Sequence, residues 1–210
     1  MLKEKLKNAN KLASALGSGL MFVLYVVLFG LVEKADPANV TIVHCALDDL
    51  IPFTRFAAIP YCFWHAEIFI VLIYYLCNED RSKWLNAVLM IWMTFMFSLL
   101  IYRIFPSQVN LRPESVPQND LAGILTRLVY YLDDNQNVLP SLHAAIAWQM
   151  MGLWLRTLKK PKSRVLAVLI NAATIISTVF LKQHSVLDIV AGVVYGFLME
   201  QLFQRHNIFE

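Results

Sequence analysis

Three polar clusters interrupt an otherwise apolar chain, and each contains side chains that are able to do chemistry. They are Arg112-Pro113, Pro140-Ser141-Leu142-His143, and Lys182-Gln183-His184 followed by Asp188. His184 and Asp188 are four residues apart, so on a helix they share one face and the carboxylate can accept the ring N–H. The other ring nitrogen is then left bare, which makes His184 a candidate nucleophile.

The remaining polar residues of these clusters suit an anionic substrate. His143 follows a Pro-Ser helix opening, where free backbone amides and the positive helix end attract an anion, so His143 is a candidate general acid. Arg112 offers a planar fork of donors and Lys182 a point charge, which together would neutralise a phosphate dianion. Such a site requires no metal, and we expect no cofactor.

Each cluster by itself also has an ordinary explanation. A His and an Asp four residues apart at a helix start commonly form a helix-terminal hydrogen bond, and Pro-Ser is ordinary at helix starts. The order and spacing of the three clusters, and their common predicted side of the membrane, make the combination informative.

The composition indicates an integral membrane protein. Of the 210 residues, 58% are hydrophobic and only 16% are charged, whereas soluble domains carry about 25% charged residues. The net charge of +3 is small and gives no reason to expect a nucleic-acid partner. Three widely spaced cysteines suggest neither a disulfide framework nor a zinc site.

Apolar segments predict an all-α membrane protein, a six-transmembrane helical bundle. The segments cover residues 16–32, 56–76, 84–105, 141–158, 164–181 and 186–203. Before them, residues 1–15 form an amphipathic N-terminal segment, either an interfacial helix or a solvated tail. We therefore divide the chain into residues 1–15 and a transmembrane catalytic domain, residues 16–210, whose motifs lie in residues 103–192.

The distribution of Lys and Arg predicts the orientation of the bundle. One alternating set of segments carries 12 of these residues and the other 6, so the richer set, with both termini, should be cytoplasmic. Residues 33–55, 106–140 and 182–185 then face outward. Within the longest of these, residues 120–132 read as a short amphipathic helix.

These motifs resemble those of the type 2 phosphatidic acid phosphatase superfamily of lipid phosphatases and phosphotransferases. The resemblance covers roughly residues 103–192. Pro140-Ser141-Leu142-His143 matches the second family motif in full, and His184 with Asp188 matches the end of the third. It implies a six-helix fold with an outer-face site, where His184 is the nucleophile oriented by Asp188, His143 the acid, and Arg112 and Ser141 phosphate ligands.

Two positions depart from the family pattern. Ser177-Thr178 stands where the third motif has Ser-Arg, so Lys182 is the cation that would replace the missing charge. Phe105 stands where the first motif has Lys, and Arg103 is the nearest cation. The residues around these positions, with Asp134 and Asn137 ahead of Pro140, resemble the branch containing inositol phosphorylceramide synthases. Arg103, Asp134 and Asn137 are therefore further candidate site residues.

The resemblance implies a lipid phosphate phosphatase that works through a phosphohistidine. Its substrate would be a phospholipid or a polyprenyl phosphate in the bilayer, and the sequence does not select among lipids or fix the oligomeric state. The expected location is a bacterial cell membrane, with the site on the extracytoplasmic side. A lipid phosphotransferase is the first alternative, and a transporter or non-catalytic membrane protein is the second.

Two further sets of ionisable residues fall outside the motifs. His65 and Glu67 lie within the second predicted span, where interior hydrogen bonding and a substrate-entry or transport role both remain open. Asp48 and Asp49 precede Pro52 and read as an interfacial cap or as a contact for a polar headgroup.

Overall fold

The computed structural model describes residues 2–32, 39–117 and 119–205, with side chains described from residue 13 to residue 204. Its elements in chain order are α1 (Leu2–Val32), β1 (Thr41–Ile42), α2 (Ala46–Leu50), a 3₁₀ turn (Arg55–Ala57), α3 (Ala58–Asn78), α4 (Arg81–Ile104), β2 (Ser107–Gln108), α5 (Leu121–Leu132), α6 (Leu142–Thr157), α7 (Pro161–Phe180) and α8 (Val186–Arg205). The backbone of α1 runs unbroken from the N-terminal segment into the first apolar span.

Five of the described helices are long and apolar enough to cross a membrane. They are α1 from Ala13, α3 with its preceding turn, α4, α7 and α8. The remaining predicted span forms α6, whose 16 residues extend about 24 Å, less than the roughly 30 Å of a bilayer core. α6 is enclosed by α3, α4, α7 and α8, so it is buried mainly by protein.

Close packing of small residues holds α6 against α8. A Cβ added to Gly192 of α8 would lie 2.3 Å from the carbonyl oxygen of Ser141, and one added to Gly196 would lie 2.4 Å from that of Ala145. Real Cβ contacts are never this short, so only glycine allows the two backbones to approach so closely. This contact brings the start of α6 beside the start of α8, where the two candidate histidines lie.

Short connections organise the same end of the bundle. β1 and β2 pair in parallel, with Thr41 opposite Ser107 and Ile42 opposite Gln108, and Gln108 bridges to Gln136. The sequence pattern predicted only helices because two-residue strands leave no alternation to read. The pairing joins three loops that are distant in the chain.

The amphipathic helix predicted over residues 120–132 is confirmed as α5. Asp120 caps it by accepting a hydrogen bond from the Gly123 amide at 2.8 Å, and Arg55 pairs with the same carboxylate at 2.9 Å. Its apolar side is largely exposed, since Leu121 and Leu132 are each about two-thirds exposed. This exposed apolar side suits contact with lipid, so α5 fits a helix lying along a membrane surface.

Candidate active site

His184 lies in the tight turn between α7 and α8. The turn contains Lys182, whose φ of 60° is left-handed, a conformation that favours glycine. The Lys182 amide donates to the Val179 carbonyl at 3.1 Å, and the Gln183 amide donates to the Thr178 carbonyl at 3.0 Å. These two bonds form a Schellman helix end, which fixes the direction in which the chain leaves α7.

The ammonium group of Lys182 is directed away from the histidines. Its Nζ donates to the backbone carbonyl of Asp48 at 2.7 Å, and the residue is buried. We expected Lys182 to bind phosphate, but the structure places its charge between α2 and the α7–α8 turn. The bond to Asp48 gives a reason for a lysine in a conformation that glycine would adopt more easily.

The side chain of Asp48 clamps the same turn from outside. Its carboxylate accepts hydrogen bonds from the Val186 amide at 2.8 Å, the Ser185 hydroxyl at 2.6 Å and the Cys45 amide at 2.8 Å. Burial opposes its ionisation, but these donors outweigh that effect and hold the pKa of Asp48 below its usual range. An ionised carboxylate at the start of α8 also complements the helix dipole.

His184 and Asp188 lie close together, although His184 is in the turn and only Asp188 is in α8. The Nδ1 atom of His184 lies 3.5 Å from an Oδ of Asp188, and that oxygen accepts the Ser185 amide at 2.8 Å. Asp188 is fully buried, and its backbone carbonyl accepts the Ser141 amide at 2.9 Å. The carboxylate of Asp188 thus lies beside His184 Nδ1 without a hydrogen bond to it, and the backbone of Asp188 joins the start of α8 to the start of α6.

His143 sits in the first turn of α6. Ser141 caps this helix, because its hydroxyl accepts the Ala144 amide at 3.3 Å. The His143 ring lies between Tyr61 and Trp64 of α3, each with its ring centroid 4.2 Å away. Its Nε2 is buried and has no hydrogen-bond partner among the described residues.

The two imidazoles meet in one cavity of about 420 Å³. Their ring centroids are 6.0 Å apart, and both side chains line the cavity wall. The polar part of the wall also includes His65, Asp133 and Asn137, whereas α1 and α5 supply an apolar part. The prediction that distant parts of the chain converge on one pocket thus agrees with the geometry for both histidines.

Arg112 stands behind this wall. Its Nε donates to the Gln183 side-chain oxygen at 2.7 Å, its Nη2 to the Asp133 carbonyl at 2.5 Å and its Nη1 to the Tyr130 carbonyl at 3.3 Å. The guanidinium also stacks over the Tyr130 ring, 4.5 Å from its centroid. Arg112 joins α5 to the α7–α8 turn, and within the described structure it touches the cavity through Gln183 and Asp133.

The other sequence candidates occupy different positions. Ser141 is buried and caps α6, and Arg103 is exposed at the end of α4. Asp134 and Asn137 both line the cavity. Asn137 is only 4% exposed, with φ of 54°, and neither atom of its amide group has a hydrogen-bond partner among the described residues. A buried, unsatisfied amide in a cavity wall is suited to contact a polar ligand.

Asp133 is a cavity residue that sequence reasoning missed. Its carboxylate accepts a hydrogen bond from the Tyr61 hydroxyl at 2.5 Å, and the Gln183 amide nitrogen lies 3.4 Å from the same oxygen. Burial raises the pKa of Asp133 above its usual range, although Tyr61, His184 and Arg112 act in the opposite direction. The Asp133-Asp134 pair was the available signal, but only the fold shows that Asp133 lines the cavity beside Asp134 and binds Tyr61.

His65 and Glu67 separate, as residues two apart on a helix should. His65 lines the cavity with its ring centroid 5.9 Å from that of His143. One oxygen of Glu67 accepts hydrogen bonds from Asn171 at 2.9 Å and Trp154 at 3.1 Å, deeper in the bundle. Glu67 thus has the interior hydrogen bonding that we considered, whereas His65 belongs to the cavity.

The arrangement suits nucleophilic attack by one imidazole and proton transfer by the other. No set of three His, Cys, Asp or Glu side chains within the described residues is placed to hold a metal ion. His184 presents its second ring nitrogen with a carboxylate behind the first, the pattern of an activated nucleophile. The His143 ring lies near enough to the His184 ring to exchange a proton with a small group bound between them.

Comparison with known proteins identifies the family. A family model described as PAP2 superfamily matches residues 39–200, well over half of the chain. The chain belongs to the PAP2 superfamily. Proteins of the PAP2 superfamily generally hydrolyse phosphate esters. The match confirms the resemblance to the superfamily, but it does not confirm the branch containing inositol phosphorylceramide synthases. No curated protein and no solved structure matched the chain in the comparisons. Helix α1 precedes the matched segment.

Proposed function

We propose that the protein is an integral membrane lipid phosphatase that acts through a phosphohistidine. The observation that carries the proposal is the 6.0 Å separation of the His143 and His184 rings across one cavity, with Asp188 behind His184. A single phosphoryl group fits between two rings at this distance. Membership of the PAP2 superfamily supports the reaction class.

The proposed cycle has two steps. The free ring nitrogen of His184 attacks phosphorus, the bond from phosphorus to the lipid oxygen breaks, and His143 gives that oxygen its proton. Water then attacks the phosphohistidine, neutral His143 takes a proton from it, and inorganic phosphate leaves as the bond to His184 breaks. Each histidine returns to its starting state, so the cycle closes with lipid alcohol and phosphate as products.

The phosphate oxygens need donors that are fixed before the substrate arrives. We assign this role to the Asn137 amide and to the backbone N–H groups of Leu142 and His143 at the start of α6, since those of Ala144 and Ala145 donate to Ser141. Arg112 adds positive charge from behind Gln183. The charges of Lys182 and Arg103 act from farther away, and Asp134 lies at the rim.

The test is turnover by purified protein in lipid nanodiscs on a panel of lipid phosphates. Phosphatidate, lysophosphatidate, a sphingoid phosphate, phosphatidylglycerophosphate and a polyprenyl phosphate form the panel, and free phosphate is measured. We expect His184→Ala and His143→Ala to lose activity by at least about a hundredfold. The matched control is His44→Ala, since His44 is exposed and pairs with Asp49 outside the cavity. Full phosphate release by His184→Ala would refute the proposal.

Phosphotransfer to an alcohol is the second candidate. It is favoured by a second set of polar groups in the cavity, in which the Tyr61 hydroxyl binds Asp133 and His65 faces His143. These groups are suited to receive a hydroxyl acceptor, as the resemblance to inositol phosphorylceramide synthases implies. Label from a phospholipid would then appear in a new lipid when an alcohol is added, and as free phosphate otherwise.

We also propose that α6 is the sixth span, with both termini cytoplasmic and the cavity at the extracytoplasmic face. The excess of Lys and Arg at the opposite end of the bundle supports this orientation. In a cysteine-free background, an impermeant maleimide should label Asp49→Cys in intact cells and Lys83→Cys only after permeabilisation. The reverse labelling would overturn the orientation.

A further inference from the structure

A second, smaller cavity adjoins the one that holds the histidines. It has a volume of about 150 Å³ and lies between α1, α3 and α4, with an apolar lining. Phe22 of α1 lines both cavities, so its ring stands where one cavity meets the other. The small cavity contains none of the candidate catalytic residues.

The order of the lining residues shows how the two cavities are arranged. Along α1, the small cavity is lined by residues 15–22 and the large one by residues 22–29. Along α3, which runs in the opposite direction, the large cavity uses residues 61–65 and the small one residues 68–76. The small cavity therefore continues the large one along the helix axes, away from the histidines.

We infer that these cavities form one channel for a hydrocarbon chain of the substrate, with the phosphate at the histidines and the chain end beside Gly19. The inference rests on the proposed function and names its substrate class, a phosphate on a long hydrocarbon chain. From residue 29 to residue 19 of α1 is about 15 Å at 1.5 Å per residue. One leaflet of a bilayer core is about 15 Å thick, so the channel has the length of a lipid chain.

Helix α1 forms one side of this channel and shields it from the bilayer. Phe22 packs edge-on against Phe69 with ring centroids 5.2 Å apart, and Tyr25 stacks on Phe95 at 4.1 Å. The opposite side of α1 is exposed, with Leu16 and Leu20 each about two-thirds exposed. One side of the helix thus contacts protein and channel, while the other is free to contact lipid.

The channel can discriminate among substrates only by how well the hydrocarbon chain of each substrate fits inside it. Moving a hydrocarbon chain from lipid into an apolar cavity gains little transfer free energy, because both surroundings are apolar. A chain longer than the channel, by contrast, must bend or displace side chains, and overpacking of this kind is costly. The depth of the small cavity should therefore set the longest chain that is used well.

Gly19 offers a direct way to change that depth. It lines the small cavity, and a Cβ added there would meet no atom within 4 Å. A large side chain at this position can enter the cavity without disturbing the fold. Gly17 is the matched control because a Cβ there is equally unobstructed, yet Gly17 is exposed and lies outside the lining of both cavities.

The first experiment compares Gly19→Phe, Gly17→Phe and the parent protein on lysophosphatidates with octanoyl, lauroyl, palmitoyl and oleoyl chains. In Gly19→Phe, the ratio of oleoyl to octanoyl turnover should fall by at least about tenfold. Gly17→Phe should keep the parent ratio. An unchanged ratio in Gly19→Phe would overturn the inference and leave the phosphatase proposal standing.

The second experiment does not depend on turnover. A non-hydrolysable phosphonate analogue of lysophosphatidate, with a photoreactive diazirine at the end of a palmitoyl chain, is cross-linked to the protein and the products are mapped. We expect cross-links to the α1 residues that line the small cavity, such as Gly19 and Phe22, and to residues 68–76 and 84–95, with loss of these products in Gly19→Phe. Cross-links confined to the outward face of α1, at Leu16 and Leu20, would overturn the inference. If the parent protein turns over no lipid phosphate but shows the mapped cross-links, the proposed function fails and the channel is retained.

Discussion

At the scale of single residues, Asp133 is a carboxyl group whose ionised form is disfavoured by burial. The Tyr61 hydroxyl donates to one of its oxygens, while Arg112 binds its backbone carbonyl and not the carboxylate itself. Burial raises its pKa, so ionisation is easier in the unfolded chain than in the folded protein. The folded state therefore carries a penalty at neutral pH that it does not carry in acid.

Replacing Asp133 with Asn should raise the thermal unfolding temperature at neutral pH. The amide oxygen can still accept the Tyr61 hydrogen bond, and the buried charge is gone. Because the folded pKa lies above the usual value of about 3.9, the advantage of the variant should shrink as the pH falls toward that value. Unfolding curves in detergent at several pH values measure the difference in unfolding temperature between the variant and the parent. Glu114→Gln, at an exposed position, is the control. A variant less stable than the parent at neutral pH would contradict this account.

At the scale of elements, the end of α7 depends on a left-handed lysine. Both Lys182→Gly and Lys182→Ala lose the hydrogen bond from Nζ to Asp48. Glycine adopts the left-handed φ of this position without strain, whereas alanine keeps the unfavourable φ. We therefore expect the Gly variant to be more stable than the Ala variant by about 1 kcal/mol, the reverse of their order inside a helix. Thermal unfolding of the two variants decides the order, and an Ala variant that is the more stable would show that the turn is not held as described.

The contact between α6 and α8 gives a second test at this scale. In Gly192→Ala the new Cβ would meet the Ser141 carbonyl, so the helices must separate, at a cost of about 1–3 kcal/mol. Turnover should also fall, because the contact sets the distance between His143 and His184. Gly17→Ala is the control, since its Cβ meets no neighbour and alanine favours a helix. Unfolding and turnover of both variants are measured, and equal behaviour of the two would count against the role of close packing.

At the scale of the whole molecule, the helices were largely predictable from the sequence. Long apolar segments must satisfy their backbone hydrogen bonds internally, so the predicted spans at residues 84–105 and 164–181 fall within a few residues of α4 and α7. The β1–β2 pairing was not predictable, because it depends on two loops whose meeting is set by the helices. The continuation of α1 through the N-terminal segment was also missed, since a Lys-rich start reads equally well as a tail.

The site was predictable where spacing within one element fixes the geometry. His143 lies in the first turn of α6 after its Pro-Ser opening, as the local pattern predicted, whereas His184 lies in the turn before α8 and comes near Asp188 through the shape of that turn. Residue roles that depend on contacts across the bundle could not be predicted from the sequence. Nothing in the local pattern around Lys182 indicates that its ammonium binds a carbonyl 134 positions away in the chain. The inward turn of Asp133 is likewise a consequence of tertiary structure.

Asp48 shows how a distant loop holds the catalytic turn, and it gives a prediction at the scale of the whole chain. Asp48→Asn should lower the unfolding temperature and turnover, because hydrogen bonds to Ser185 and Val186 are weakened and His184 moves with them. The folded pKa of Asp48 lies below its usual value, so this stabilisation is present above about pH 3.9 and is lost as the pH falls. The stability difference from the parent should therefore narrow in acid.

The neighbouring Asp49→Asn is the matched control for this experiment. Asp49 is exposed and pairs with His44, without contact to the turn. Unfolding temperature and turnover are measured for both variants at neutral and acid pH. If Asp48→Asn behaved as Asp49→Asn does, the hydrogen bonds of the Asp48 carboxylate would have no role in holding His184.

The stacking of Trp64 on His143 has an optical consequence. The two rings lie 4.2 Å apart, and a protonated imidazole quenches the fluorescence of an indole that it touches. With the other four tryptophans, Trp84, Trp92, Trp148 and Trp154, replaced by Phe, and with His65, whose ring centroid lies 4.9 Å from that of Trp64, replaced by Gln, light emitted from position 64 would report the charge on His143. Stopped-flow fluorimetry on the unlabelled protein could then follow proton movements at His143 during a single encounter with substrate.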